Sequence, residues 1–99
     1  MKKEKFSIIR THSAGVWFGN IKSLNGSIAI ITNARRLWHW SGAASLSQLA
    51  VEGTKDKNNC KFTMTITDKD GVYLPQVVEV LPCTNEAVEN INSIKEWKM

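Results

Sequence analysis

The stretch Val16-Trp-Phe-Gly-Asn-Ile-Lys-Ser-Leu-Asn-Gly-Ser-Ile-Ala-Ile-Ile-Thr-Asn33 decides how the chain is read. Asn25-Gly26 sits between two runs rich in Ile, Val, Phe and Trp, and Asn-Gly is the residue pair that a two-residue hairpin turn favours. With Asn25 and Gly26 as the loop, Leu24 pairs with Ser27, Ile21 with Ile30, Phe18 with Asn33 and Trp17 with Ala34. One face then carries Trp17, Ile21, Ile28, Ile30 and Arg36; the other carries Val16, Phe18, Leu24, Ala29, Ile31 and Arg35. Both faces are apolar, so each must be covered by a helix, a second sheet or another subunit.

Upstream, Phe6 to His12 alternates as a first strand and breaks at Ser13-Ala14-Gly15. Downstream, Ser45-Leu-Ser-Gln48 has the capping-box spacing, which predicts a short helix from Leu46 to Glu52 with Gly53 as its stop. Residues 54–59 read as a polar exposed connector. Cys60 to Thr67 and Val72 to Leu81 read as a second hairpin around Asp68-Lys-Asp-Gly71, with Pro75 at an edge or bulge. Thr84 caps a terminal amphipathic helix whose stripe is Val88, Ile91, Ile94 and Trp97, with Glu86, Glu89 and Asn90 turned outwards. The expected fold is α+β, with antiparallel hairpins of about five strands, a short central helix and a C-terminal amphipathic helix in a single domain.

The chain has 99 residues, 42% of them hydrophobic and 22% charged, with a net charge of +4. A domain this small buries a modest core, and association of several copies would help it. Mild positive charge favours anionic partners, without the basic run of a nucleic-acid tail. Residues 1–5 are basic, but no apolar run follows them, so an exported or membrane-spanning product is not expected. Cys60 and Cys83 form no paired-cysteine motif; two free thiols are the simplest reading, and a disulfide between them is the alternative.

Unusual residues concentrate in Asn33-Ala-Arg-Arg-Leu-Trp-His-Trp40. Arg35 and Arg36 suit a phosphate or carboxylate, because a guanidinium presents paired donors to two oxygens. Trp38 and Trp40 suit stacking on a base. On an extended strand Arg36, Trp38 and Trp40 share one face, and Arg35, Leu37 and His39 the other. The bland alternative is that the tryptophans are core and the arginines pack beside them. Ser45 and Ser47 at the helix start would complete an anion site, or merely cap the helix. Asn33, His39 and Trp17 are secondary candidates behind a Ser41-Gly42 hinge. His12, His39, Cys60 and Cys83 lack zinc-ligand spacing, no nucleotide-binding loop motif is present, and no catalytic signature surrounds any serine, so neither metal, cofactor nor enzymatic activity is expected.

Asn33-Ala-Arg-Arg-Leu-Trp-His-Trp40, with Gly42-Ala43 and Ser45-Leu-Ser-Gln-Leu-Ala50, resembles a family of small bacteriophage and prophage proteins. Arg10-Thr-His-Ser-Ala-Gly-Val16 and Glu79-Val-Leu-Pro-Cys-Thr84 extend the resemblance over most of the chain. The resemblance implies a phage-encoded protein acting in the host cytoplasm, and assigns no site residue. By analogy of setting, the expected function is sequestration of a nucleotide-type anionic immune signal by an oligomer, with Arg35, Arg36, Trp38, Trp40, Ser45, Ser47, His39, Asn33 and Trp17 as site candidates. The alternatives are an adaptor that binds a host protein and a single-stranded nucleic-acid binder.

Overall fold

The hairpin forms around Asn25-Gly26, displaced by one position. In the computed structural model, which describes residues 6–99, strand β2 (Val16–Asn25) turns at Gly26-Ser27 and returns as β3 (Ile28–His39). The basic segment 1–5 lies outside the described residues. Asn25 pairs with Ile28 and Leu24 with Ala29, so Asn25 belongs to the strand and not to the loop. The reason is conformational: Gly26 has φ 62° while neither Asn25 nor Ser27 has a positive φ, and a turn with one such residue, first in the loop, accepts Gly-Ser.

Two bulges then reset the register. Lys22 is an extra residue on β2, between the pairs Ile21 with Ile31 and Ser23 with Ile30. On β3, Asn33 and Ala34 together stand opposite Gly19, between the pairs Phe18 with Arg35 and Asn20 with Thr32. Asn33 takes φ 51°, a left-handed conformation that Asn adopts more readily than most residues. Gly19 has no room for a side chain: a Cβ there would lie 3.1 Å from the Thr32 carbonyl oxygen and 3.3 Å from Ala34 Cα. The β3 bulge swaps faces. Ala29 and Ile31 therefore lie with Trp17 and Ala34 and not with Phe18, contrary to the simple alternation. Beyond it, Arg36 still faces with Trp17 and Arg35 with Phe18, as the alternation predicts.

Strand β1 (Phe6–Thr11) pairs with β2. The expected second hairpin does not form. Instead β4 (Lys61–Phe62) and β5 (Val72–Leu74) lie one after the other along the free edge of β3, Phe62 opposite Leu37 and Leu74 opposite Ala29, with Ile66 bridging to Ala34 between them. The twelve-residue β3 offers one long row of backbone donors and acceptors, and the Asp68–Gly71 turn is an excursion from that row. Pro75 and Gln76, the latter at φ 54°, make a corner into β6 (Val77–Pro82), which pairs with β1. The six-stranded sheet thus has the order β4-β3-β2-β1-β6, with β5 also on β3. Its two edges are joined by two residues of chain, and Val77 N–H donates to the Ser27 carbonyl at 2.8 Å, so the sheet curls towards closure.

The fold is α+β. The curl encloses Ile9, Trp17, Ala29, Ile31, Ala34 and Leu74. Two helices, α1 (Leu46–Glu52) and α2 (Asn85–Asn92), cover the other face, where Leu49, Ala50, Ile91 and Ile94 pack on Ile8, Phe18, Leu37 and Phe62. Each such buried aliphatic or aromatic side chain contributes roughly 1.5–3 kcal/mol. Both predicted caps form: Ser45 Oγ accepts from Gln48 N–H at 3.1 Å, and Thr84 Oγ1 accepts from Ala87 N–H at 3.1 Å. Asn90 does not face solvent. Its amide bonds both backbone groups of Thr54, accepting from the N–H at 2.8 Å and donating to the carbonyl at 3.0 Å. Nor is the connector exposed throughout: Thr54 is buried, and Lys57–Asn59 forms a 3-10 turn.

Candidate functional site

Arg35 and Arg36 are adjacent on a strand, so their side chains leave on opposite faces. Arg35 is 2% exposed. Its Nε donates to the Thr63 carbonyl at 2.7 Å and Nη1 to the Ile91 carbonyl at 2.6 Å, while Nη2 reaches the carbonyls of Phe62 and Ile94. Burial lowers its pKa, opposed by the nearby Glu96 carboxylate. The guanidinium acts as a cap on α2: it takes the carbonyl of Ile91, which a continuing helix would have paired with an N–H four residues on. The helix accordingly stops at Asn92, and Trp97 leaves the apolar stripe expected of it. Arg35 is inside the fold, with its donors directed at the chain itself.

Arg36 leaves on the Trp17 face and is partly exposed. Its guanidinium lies 4.7 Å from the Trp17 ring centroid, and Nη2 donates to the Ala14 carbonyl at 3.0 Å. Trp17 Nε1 donates to the same carbonyl at 3.0 Å, so ring and guanidinium are held on one anchor. Gly15, at φ 91°, is also close: a Cβ there would sit 3.6 Å from Arg36 Nε. Nε is buried and has no hydrogen-bond partner. Such an arginine is pre-set in position, with donor capacity unspent. It lines a cleft of about 320 Å³ whose walls include Ser13, Trp38 and Trp40. Arg36, Trp38 and Trp40 line one cleft, but not as a single strand face: Trp38 is an extra residue against β4, and Trp40 packs on the helix-covered core.

Trp38 is 60% exposed, whereas Trp40 is half-buried against the helix-covered core. Behind Trp38 lies a second, shallower depression of about 790 Å³, bordered by Trp38, His39, Lys61 and Trp97. Trp38 and Trp97 lie nearly parallel, 10° apart, with ring centroids separated by 6.4 Å. Lys61 Nζ is 5.5 Å from the Trp97 ring centroid. Sequence reasoning missed Trp97 and Lys61 as site residues. Lys61 arrives by pairing with His39, and Trp97 by donating its backbone N–H to the Phe62 carbonyl at 2.8 Å; both depend on the placement of β4.

The remaining candidates lie elsewhere. Ser45 is occupied in capping α1, and neither it nor Ser47 lines the two depressions. Asn33 is exposed at the bulge, where its backbone conformation is what the strand uses. The Ser41-Gly42 segment is tied rather than hinged: Ser41 Oγ donates to Asp56 at 3.0 Å, its carbonyl accepts from Thr54 Oγ1, and a Cβ on Gly42 would meet Asp56 N at 2.5 Å. Among the described residues, no three His, Cys, Asp or Glu side chains cluster as metal ligands, and no helix is long and apolar enough to cross a membrane.

A family model described as a domain of unknown function, DUF6948, matches residues 4–91. The chain belongs to the DUF6948 family. Comparison with curated proteins and with solved structures gives no match. The match covers Ser13, Gly15, Trp17, Arg36, Trp38 and Trp40, so the whole Arg36 cleft of this DUF6948 domain falls within the family's span, whereas Trp97 lies beyond it.

Proposed function

We propose that this DUF6948 chain is a non-catalytic binding protein that sequesters a nucleotide-type anionic ligand in the Arg36 cleft. The observation that carries the reading is Arg36 itself, a guanidinium held against the Trp17 ring and the Ala14 carbonyl and lining a cleft walled by two indoles. Phosphate meets the guanidinium, the base stacks on Trp38 or Trp40, and Ser13 stands by as a hydroxyl donor or acceptor. The anion-binding part of the reading thus rests on Arg36, with Arg35 as the support behind the strand. The resemblance to phage proteins supplies the setting: a phage product in the host cytoplasm that binds an immune signal and so blunts host defence. Capture needs affinity and copies rather than turnover. Leu24, Ile28, Tyr73 and Val78 are large apolar residues left exposed on the strands, which supports an oligomer as the working form.

Calorimetric titration of the full chain with AMP and with ADP-ribose tests this. Binding by the wild type, weakened at least about tenfold in Arg36→Ala with an unchanged melting temperature, is the expected result; removing a charge-assisted hydrogen bond costs roughly 1.5–3 kcal/mol. Equal affinities in the two proteins would mean that the cleft is not the binding site.

A further inference from the structure

Trp38 borders both depressions and so forms a wall common to the two. Trp38 lines the Arg36 cleft, of about 320 Å³. Beyond it the same indole lies parallel to Trp97, itself 39% exposed, with the Lys61 ammonium over the Trp97 ring. Exposed flat rings with a cation nearby form a combination on which bases stack while their phosphates are neutralised. Further positive charge continues in the same direction, because Lys57, Lys95 and Lys98 line the adjoining surface. Among the described residues lining it, the one acidic side chain is Glu96, which receives the Thr65 N–H at 3.4 Å and the Lys98 ammonium at 3.8 Å.

We infer that the ligand contains at least two linked nucleotide units, the first in the Arg36 cleft and the second on the far side of Trp38, its base against Trp97 and its phosphate towards Lys61. This rests on the proposed role of the Arg36 cleft and adds the ligand's class to it: a phosphodiester-linked nucleotide, cyclic or linear. A mononucleotide occupies only the first position. The chain between the units crosses the edge of Trp38, which makes Trp38 a contact for both.

Titration of the full chain at constant salt with AMP, with the linear dinucleotide pApA and with cyclic di-AMP tests the inference. The expected result is that at least one of the linked compounds binds more tightly than AMP, by about 5- to 100-fold, the gain that one stacked base gives. A gain confined to cyclic di-AMP identifies a closed-ring ligand, and one confined to pApA a strand; both support linked units. Trp97→Ala removes the gain, so that the linked compound and AMP bind alike, and Lys61→Gln reduces it, which keeps the test open if the tryptophan variant folds poorly. Equal affinity of all three compounds for the wild type, with Arg36→Ala weakening all of them, would overturn the two-unit ligand and leave the Arg36 cleft standing. No binding of any compound would overturn both.

Discussion

Arg35 donates to carbonyls on both sides of the chain's end, and this single side chain joins β3 to β4 and to the last turn of α2. Its removal takes the side-chain donor from the carbonyls of Thr63 and Ile94, and leaves the Ile91 carbonyl with only the Ile94 N–H at 3.2 Å. Arg35→Met should therefore lower stability by at least about 3 kcal/mol, a fall of more than about 12 °C in melting temperature. Differential scanning calorimetry checks it, and a fall below about 4 °C would mean the carbonyls find other partners. Arg36, one residue on, should show the converse, loss of binding with little loss of stability. Cys83 allows a third test at this scale. Burial pushes its thiol from 9.0 up to about 11, with a backbone hydrogen bond from Ile8 opposing. A raised folded pKa means that the unfolded chain releases its proton first, so this contribution to stability is full below about pH 9 and is lost as pH rises towards 11. Denaturant unfolding from pH 8 to 11 should show a steeper decline for the wild type than for Cys83→Ala. Parallel curves would contradict the burial of the thiol.

Within the elements, local signals were readable wherever they are self-contained. The Ser45 and Thr84 caps each involve residues within a few positions, and each forms; the hairpin also forms, but its loop is Gly26-Ser27 and not Asn25-Gly26. The β3 bulge was not readable, because an Asn in a left-handed conformation has no signature until its partner strand is known. Asn33→Val should cost about 1–2 kcal/mol, since a β-branched residue is disfavoured at φ 51°, whereas Asn33→Gly should be tolerated. Urea unfolding of the pair decides, and equal stability of the two variants would show that the bulge relaxes. Gly53 is constrained differently: at φ 77°, a Cβ would meet the Asn90 side chain at 2.4 Å, so Gly53→Ala should disrupt the Asn90 link to Thr54 and the seating of α1 on α2. Faster amide exchange at Thr54 would register it.

Over the whole molecule, long-range pairing was the part hidden from the sequence. The run from Cys60 to Leu81 contains two apolar segments and a turn, which is also what a hairpin looks like. Only the free edge of β3 and the two-residue corner at Pro75-Gln76 decide that the segments follow β3 and that the sheet curls. The same placement brings Lys61 and Trp97 to Trp38, so half of the aromatic surface was invisible for the reason that the topology was. The other half was legible only as a cluster: Arg36, Trp38 and Trp40 line one cleft, while the irregularity at Trp38 and the packing of Trp40 on the helix-covered core break the alternation that placed them on one face. The most direct test of that cleft is to purify the native protein, denature it, and identify by mass spectrometry whatever small molecules are released. A phosphate-bearing nucleotide compound in stoichiometric amount is expected from the wild type, and little from Arg36→Ala. Release of nothing, together with a melting temperature unmoved by AMP, pApA and cyclic di-AMP at millimolar concentration, would contradict nucleotide capture by the cleft.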